Sequence, residues 1–162
     1  MIPSETRRVE ADQAFSVLQT LKDEGFNVLV DLTCVDYSTF QPARAQRFEL
    51  TYRLMKLDAE TGEDRGRVNV QVPVPEGPAV LRSAMALWPI ADWLEREVWD
   101  MFGVGFVDRP DIKRLLLYES FKGHALRKDY PIARRQPQIG PASGELEGSP
   151  SFNVVKPGVG YQ

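Results

Sequence analysis

The sequence predicts an α+β domain of two layers, with helices packed on one face of a small mixed or antiparallel sheet. Apolar residues alternate with polar ones in three segments, as in half-buried strands, and recur at helical spacing in three others. Beyond Pro131, glycine and proline become frequent and large apolar residues become few. We therefore expect a domain over residues 1–131 and an extended, Pro/Gly-rich, partner-binding tail over residues 132–162.

The first predicted elements are a helix and a strand. Residues 10–24 place their apolar residues on one helical face, and Gly25 follows as a helix stop. The strand comes next, and its inward-facing residues are expected to be Phe26, Val28, Val30, Leu32 and Cys34. Since Cys34 lies within this apolar run, we expect a buried core thiol and not a nucleophile.

Two further strands are predicted on either side of a polar, glycine-containing hairpin loop at residues 58–66. The first places Phe48, Leu50, Tyr52 and Leu54 on one face, and the second does the same with Val68, Val70, Val72 and Val74. Proline cannot donate to a strand ladder. Pro73 and Pro75 therefore restrict the later strand to a sheet edge, or else they lie in its last residues.

Two more helices are predicted before Gly103. One opens at Gly77-Pro78, runs to about Leu87, and would bury Val80, Leu81, Ala84 and Met85. The other covers residues 92–102, with Asp92 as N-cap and Glu95 completing a capping box. Its apolar stripe consists of Leu94, Val98, Met101 and Phe102. Between Asp111 and Tyr118 the sequence is compatible with either one short helical turn or a strand.

Composition limits the chemistry that this chain can perform. Its apolar runs are far shorter than the roughly 20 residues that span a bilayer, and its N-terminus predicts no secretory signal. With one cysteine and one histidine, the chain cannot by itself supply four cysteines to an iron–sulfur cluster or four Cys/His ligands to zinc.

The charge is unevenly distributed. Residues 109–135 carry eight Lys or Arg and three Asp or Glu, so their net charge is +5 although that of the whole chain is −3. Such a local basic face favours a specific acidic or phosphorylated partner. It argues only weakly for nucleic acid, for which a positive field over the whole domain is more common.

The charged helix at residues 92–102 has two interpretations. Its carboxylates are compatible with a paired acid/base site. The favoured interpretation is a solvated, salt-bridged helix face, because Arg96 and Asp100 are four residues apart and can pair on the surface. The residues in question are Glu95, Arg96, Glu97 and Asp100.

The basic run from His124 to Lys128 also has several interpretations. Histidine and cations beside Tyr130 suggest phosphate or RNA binding, and hence a free-standing enzyme or RNA-binding module. The glycines do not form a phosphate-binding loop of the P-loop type, however, and aromatic residues are not spread over a broad basic surface. A solvated loop and a loop that docks on an acidic protein face are both more plausible.

Three motifs carry a family resemblance that covers about residues 10–131. They are Asp92-Trp93-Leu94-Glu95-Arg96-Glu97, Pro110-Asp111-Ile112-Lys113-Arg114-Leu115-Leu116, and Gly123-His124-Ala125-Leu126-Arg127-Lys128-Asp129-Tyr130-Pro131. At this spacing they closely resemble the thirty-kilodalton-subunit family of bacterial NADH:quinone oxidoreductase, respiratory complex I. Arg109 stands where the family usually has histidine, and Ala125 where it usually has proline.

The resemblance implies a non-redox subunit of the hydrophilic arm, on the cytoplasmic face of the inner or plasma membrane. Its implied partners are the large hydrogenase-like subunit at the quinone site and the subunit with the terminal iron–sulfur cluster. FMN, iron–sulfur clusters and quinone would be bound by partner subunits, with no cofactor, metal or catalytic residue in this chain. The implied docking and structural residues are Glu95, Arg96, Glu97, Asp100, Arg114, His124, Arg127, Lys128 and Asp129.

The resemblance leaves one alternative within the same superfamily of assemblies. The chain would equally suit the corresponding subunit of a quinone oxidoreductase that uses ferredoxin or a reduced deazaflavin, or of a membrane-bound hydrogenase.

Overall fold

The computed structural model describes residues 4–78, 80–109, 112–133 and 135. Its main sheet has four strands in the order β1-β4-β3-β2, with β1 parallel to β4 and the other pairs antiparallel. These strands are β1 (Ser4–Arg8), β2 (Val28–Asp36), β3 (Phe48–Leu57) and β4 (Asp64–Val74). The helices are α1 (Ala14–Asp23) and α2 (Ala91–Phe102), and a two-stranded parallel sheet is formed by β5 (Leu81–Arg82) and β6 (Phe106–Val107).

The core lies between one face of the main sheet and the two helices. Alternate residues of β3 and β4 point into it, because successive side chains of a strand face opposite sides. Leu18 and Leu21 of α1 and Val98 of α2 pack against this face. The predicted two-layer α+β architecture is thereby confirmed. No helix among the described residues has the length and apolar character needed to cross a membrane.

Strand β2 differs from the predicted alternation at Val30, which is 53% exposed. The register of β2 against β3 shifts between Leu29 and Asp31, so one extra residue is inserted there. This bulge turns Val30 outward and places Leu29 in the core. Beyond it the predicted alternation holds, since Leu32 and Cys34 are buried.

Strand β4 is internal in the middle of its length, because β1 pairs with residues 67–71. The sequence offers little indication of β1, whose five residues are polar and mostly exposed. The last backbone contact on that side joins Val9 to Gln71, and Pro73 lies beyond it. Of the two predicted positions for the prolines, the end of the strand is therefore correct and the sheet edge is wrong.

The predicted helix at residues 77–87 is wrong. In its place lie β5 and a single 3-10 turn at Ala84–Ala86. In a longer helix the Ala84 N–H would donate to a carbonyl four residues back. Here it donates to the carboxylate of Glu95 instead, which fixes a turn.

Helix α2 agrees with its predicted bounds but not with its predicted start. Ile90 precedes it as N-cap and no side chain caps its N-terminus, so the capping box of Asp92 and Glu95 is absent. Its end is as predicted, with Gly103 in the left-handed conformation at φ +73°. The segment that follows β6 contains neither helix nor strand over residues 112–133. Of the predicted tail, only residues 132, 133 and 135 lie within the described residues.

Candidate functional site: a buried carboxylate framework

The carboxylates of α2 do not form a solvated helix face, so the favoured interpretation from the sequence is wrong. Glu95 and Asp100 are both fully buried, whereas Glu97 between them is exposed. The two buried residues are five positions apart and therefore point to different sides of the helix. Burial of a charged carboxylate is costly unless ion pairs and hydrogen bonds compensate it.

Glu95 holds the residues before and after α2 against the helix. One carboxylate oxygen accepts the N–H of Ala84 at 2.7 Å, and the other accepts the Ser83 hydroxyl at 2.8 Å and the Arg109 guanidinium at 3.1 Å. Arg109 also pairs with Asp92 on the same helix. Burial raises the pKa of Glu95 even though these donors oppose the shift.

Asp100 organises the segment that follows β6. Its Oδ2 accepts three successive backbone N–H groups, those of Leu115, Leu116 and Leu117, at 3.0, 2.8 and 2.9 Å. Its Oδ1 accepts the guanidinium of Arg114 at 2.6 Å. Burial alone would raise the pKa of Asp100, but the backbone N–H groups and Arg114 hold that pKa below its ordinary value.

Arg114 extends this order along the chain. Beyond Asp100, its guanidinium donates to the carbonyl oxygens of Phe121 at 2.8 Å and Gly123 at 3.0 Å. Arg96 contributes from the same helix as Asp100, since it donates to the carbonyls of Lys113 at 3.2 Å and Arg114 at 3.0 Å. Side-chain donors and acceptors thus replace the backbone ladder that a helix or strand would provide.

A third buried carboxylate, Asp36 at the end of β2, holds the far end of the segment. It accepts the Arg47 guanidinium and the backbone N–H of Lys128, both at 2.9 Å. Arg47 also pairs with Asp129 at 2.9 Å. Burial would raise the pKa of Asp36, but Arg47 and the N–H groups of Lys128 and Ser38 hold that pKa far below its usual range.

His124 and Arg127 cover the C-terminus of α2. The Nδ1 of His124 donates to the Asp100 carbonyl at 3.0 Å, and the Nε of Arg127 donates to the Phe102 carbonyl. These bonds satisfy carbonyls that the end of a helix leaves without partners. Burial lowers the pKa of His124, so its ring is neutral at pH 7. Gly103 makes this approach possible because a Cβ there would lie 2.5 Å from the His124 ring.

We call these groups the carboxylate framework: Asp36, Glu95 and Asp100 with Arg47, Arg109, Arg114 and Arg127. Most of the residues singled out from the sequence either belong to the framework or form a hydrogen bond or ion pair with one of its members. They are Glu95, Arg96, Asp100, Arg114, His124, Arg127 and Asp129. Lys128 joins only through its backbone, and Glu97 does not join. The docking roles that the resemblance implies for these residues stay predictions.

Sequence reasoning missed Asp36, Arg47 and Arg109 as members of the framework, and it missed Ser83, whose hydroxyl donates to Glu95. Asp36 and Arg47 are eleven residues apart, and Lys128 is 92 residues from Asp36. Contacts at such separations leave no local periodicity that could indicate them.

The arrangement is suited to fixing a surface and not to acid/base catalysis. The oxygens of Glu95 and Asp100 are buried and bonded, so neither faces an open cleft. Burial raises the pKa of the Cys34 thiol to about 12, so this cysteine is protonated at neutral pH, as its predicted core position requires. Within the described ranges, no group of three His, Cys, Asp or Glu residues is placed to hold a metal ion.

Comparison with known proteins identifies the family. Residues 7–136 match the family described as respiratory-chain NADH dehydrogenase, 30 Kd subunit. The chain belongs to this family. The resemblance carried by the Glu-Arg-Glu helix and the Leu-Arg-Lys-Asp-Tyr-Pro segment is thereby confirmed.

Named relatives of this 30 Kd subunit family agree with the match. The chain is 38% identical over 142 residues to an NADH-quinone oxidoreductase subunit of Citrifermentans bemidjiense, a match that covers 87% of this chain and 81% of the relative. It is 42% identical over 111 residues to NADH-quinone oxidoreductase subunit 5 of Thermus thermophilus, covering 68% of this chain. It spans only 54% of that second relative.

A solved structure shows the same fold. The trypsin-resistant fragment of Nqo5 is 34% identical to this chain and superposes with a TM-score of 0.61. The match covers 67% of this chain and 82% of the fragment. The comparison therefore supports the α+β fold of the matched part of this chain.

Replacement of Gly103 by alanine tests the close approach of the 124–127 segment to α2. Gly103→Ala should lower the free energy of unfolding by about 3 kcal/mol, since it adds a steric collision with His124 to the left-handed backbone cost. Gly62→Ala is the matched control, because Gly62 has φ +70° with nothing within 4 Å of its added Cβ. The control should cost about 1 kcal/mol. Equal losses in urea unfolding would contradict the close packing.

Acid should weaken the framework through Asp100. Because its folded pKa is depressed, the carboxylate contributes stability above about pH 4 and loses it as the pH falls through the folded pKa. Asp100→Asn should therefore cost about 3 kcal/mol at pH 7 and much less at a pH below the folded pKa of Asp100, measured by urea unfolding. Glu97→Gln, at an exposed position on the same helix, should cost under about 0.5 kcal/mol at either pH. A loss for Asp100→Asn that does not change with pH would contradict this role.

Proposed function

We propose that this chain is a docking subunit in the peripheral arm of an NADH:quinone oxidoreductase and is not catalytic alone. In such an assembly, electrons pass from NADH through FMN and iron–sulfur clusters of other subunits to quinone, coupled to proton translocation. Family membership and the names of the relatives support this proposal.

The observation that carries the proposal is the segment 112–133, which has no helix or strand and is fixed by the framework. Its polar bonds are directed inward to Asp100 and Asp36. Its apolar side chains are in part directed outward, since Leu116 is 62% exposed and Ile132 is fully exposed. A fixed backbone that presents apolar and basic side chains is typical of a protein interface, because it loses little entropy on binding.

The proposed partners are the large hydrogenase-like subunit at the quinone site and the subunit that carries the terminal iron–sulfur cluster. The exposed side chains of Lys113, Lys122 and Lys128 support binding to acidic faces of these partners. Arg109, Arg114 and Arg127 contribute less to such a surface, because they are paired with carboxylates within the domain. Through them the chain would lie on the cytoplasmic face of the inner or plasma membrane.

We also propose that the chain itself binds no redox group. Cys34 is buried in the core, and one ring nitrogen of His124 is bonded to the Asp100 carbonyl. These are the only cysteine and histidine of the chain. Since iron–sulfur clusters require accessible thiolates or imidazoles, the clusters would be held by partner subunits. The family resemblance implies the same for FMN and quinone.

A double variant at exposed positions tests the docking role. The double variant Lys113→Glu/Leu116→Glu should lower the amount of chain in the purified complex at least about tenfold, and the NADH:quinone activity should fall with it. The new carboxylates would repel an acidic partner surface, and the apolar contact of Leu116 would be lost. The isolated chain should keep its urea midpoint, since Asp100 bonds only the backbone of Leu116. Arg127→Glu is a poorer probe because Arg127 is bonded within the domain.

Glu60→Lys supplies the control, as an exposed charge reversal in the β3–β4 turn. Normal assembly and turnover of the Lys113/Leu116 double variant would contradict the docking role. Co-purification of NADH-binding flavoprotein subunits with this chain would separate the NADH-dependent assembly from those that use ferredoxin or a reduced deazaflavin.

A further inference from the structure

A groove runs along the outer edge of β2, and we call it the edge groove. One half is a cavity of about 240 Å³ at the Asp31 end, and the other is a cavity of about 200 Å³ at the Asp36 end. The two halves share Cys34, Phe102 and Leu126. Since β2 rises about 3.3 Å per residue, the groove follows roughly 20 Å of strand.

The strand beside this groove is the last of its sheet among the described residues. In an antiparallel pair, alternate residues direct their backbone groups to the neighbouring strand and the residues between them direct theirs outward. Tyr37 N–H donates to the Arg47 carbonyl at 2.8 Å, and the register pairs Val35 with Glu49. The odd-numbered residues after the bulge therefore direct their backbone N–H and C=O groups to β3. Leu32 and Cys34 direct their backbone groups the other way, towards the groove. Neither has a backbone partner on that side among the described residues.

The floor of the groove is apolar. Phe102 of α2 and Leu126 of the framework-held segment lie beside the open edge, and Leu126 is 53% exposed. The backbone N–H of Leu126 donates to the Met101 carbonyl at 3.1 Å, so this floor is fixed in place. An added strand would thus find backbone partners on one side and an apolar surface beneath it.

The two ends of the groove carry opposite charge. Asp31 and Glu97 lie at one end, and Lys128 lies at the other. None of these three side chains has an ion-pair partner in the part of the chain that the structure describes. This charge pattern specifies an occupant with a basic residue at the Asp31 end and an acidic residue at the Lys128 end.

We propose that the edge groove binds an extended segment of a partner subunit, which adds to β2 as a fifth strand of the main sheet. The segment would alternate apolar residues over Phe102 and Leu126, between a basic and an acidic end. An unpaired edge strand is a ready template for such addition, and proteins normally protect these edges. This inference rests on the proposed docking function and names the chemistry of one partner contact.

Hydrogen exchange of single backbone amides tests the proposal, measured on the full chain alone and on the complex purified from native membranes. In the isolated chain, Leu32 and Cys34 should exchange fast, whereas Thr33 and Val35 should be protected by β3. In the complex, Leu32 and Cys34 should become protected at least about a hundredfold, while Thr33 and Val35 change little. This alternation distinguishes strand addition from a general burial of the surface.

Two outcomes would overturn the proposal. If the chain is present in the complex but Leu32 and Cys34 exchange as fast as in isolation, the groove is empty and the docking function stands without it. If these amides are protected in the isolated chain and exposed by truncation after Arg135, the chain's own C-terminal segment is the occupant. Absence of the chain from the complex would overturn both the docking function and this inference.

A side-chain variant provides a second measurement. Leu126→Lys should lower incorporation into the complex about tenfold without shifting the urea midpoint of the isolated chain, since the Leu126 side chain is half exposed. Ile90→Lys is the matched control, because Ile90 is exposed to a similar degree before α2 and away from the groove. Equal incorporation of the two variants would count against the groove as a docking site.

Discussion

The rest of the framework depends on Asp100, one oxygen of which accepts hydrogen bonds from three successive backbone N–H groups. Those amides belong to a segment without helix or strand, so no backbone ladder would otherwise pair them. Arg114 completes the same carboxylate and then bonds carbonyls up to Gly123. Asp100 therefore fixes the irregular segment after β6 as a defined surface.

Such buried charges stabilise less than their contacts suggest. Desolvation offsets most of the attraction in a buried ion pair, and an apolar replacement of the same shape is often as stable. Removal of one partner is different, because it leaves an uncompensated charge and costs about 3–5 kcal/mol. The framework is thus best understood as a device that specifies one conformation. Exposed pairs such as Arg65 with Glu63 contribute only about 0–1 kcal/mol and specify little.

Periodicity predicted the elements that local burial determines. Helix α1, strands β3 and β4 and the end of α2 at Gly103 follow from apolar spacing and one glycine. Periodicity failed at residues 29 and 30, where a bulge places Leu29 in the core and turns Val30 outward. It also failed at residues 77–87, where the Glu95 carboxylate accepts a backbone N–H that a helix would need.

The candidate site was predictable only in part. Composition and motif spacing indicated which stretch carries function, and the resemblance gave the family correctly. They did not show that Glu95 and Asp100 are buried, because the groups that compensate them come from Ser83, Arg109 and Arg114, brought near only by the tertiary fold. Strand β1 escaped detection for a similar reason, since its polar sequence becomes a strand only beside β4.

The central claim is that the irregular segment after β6 has a single fixed conformation before any partner binds. Native-state hydrogen exchange of the Leu115, Leu116 and Leu117 amides in the isolated chain tests it most directly. The framework predicts exchange at least about a hundredfold slower than in an unfolded chain, although these residues lie in no helix or strand. Exchange at the unfolded rate would show that the segment is ordered only by its partners and would contradict the claim.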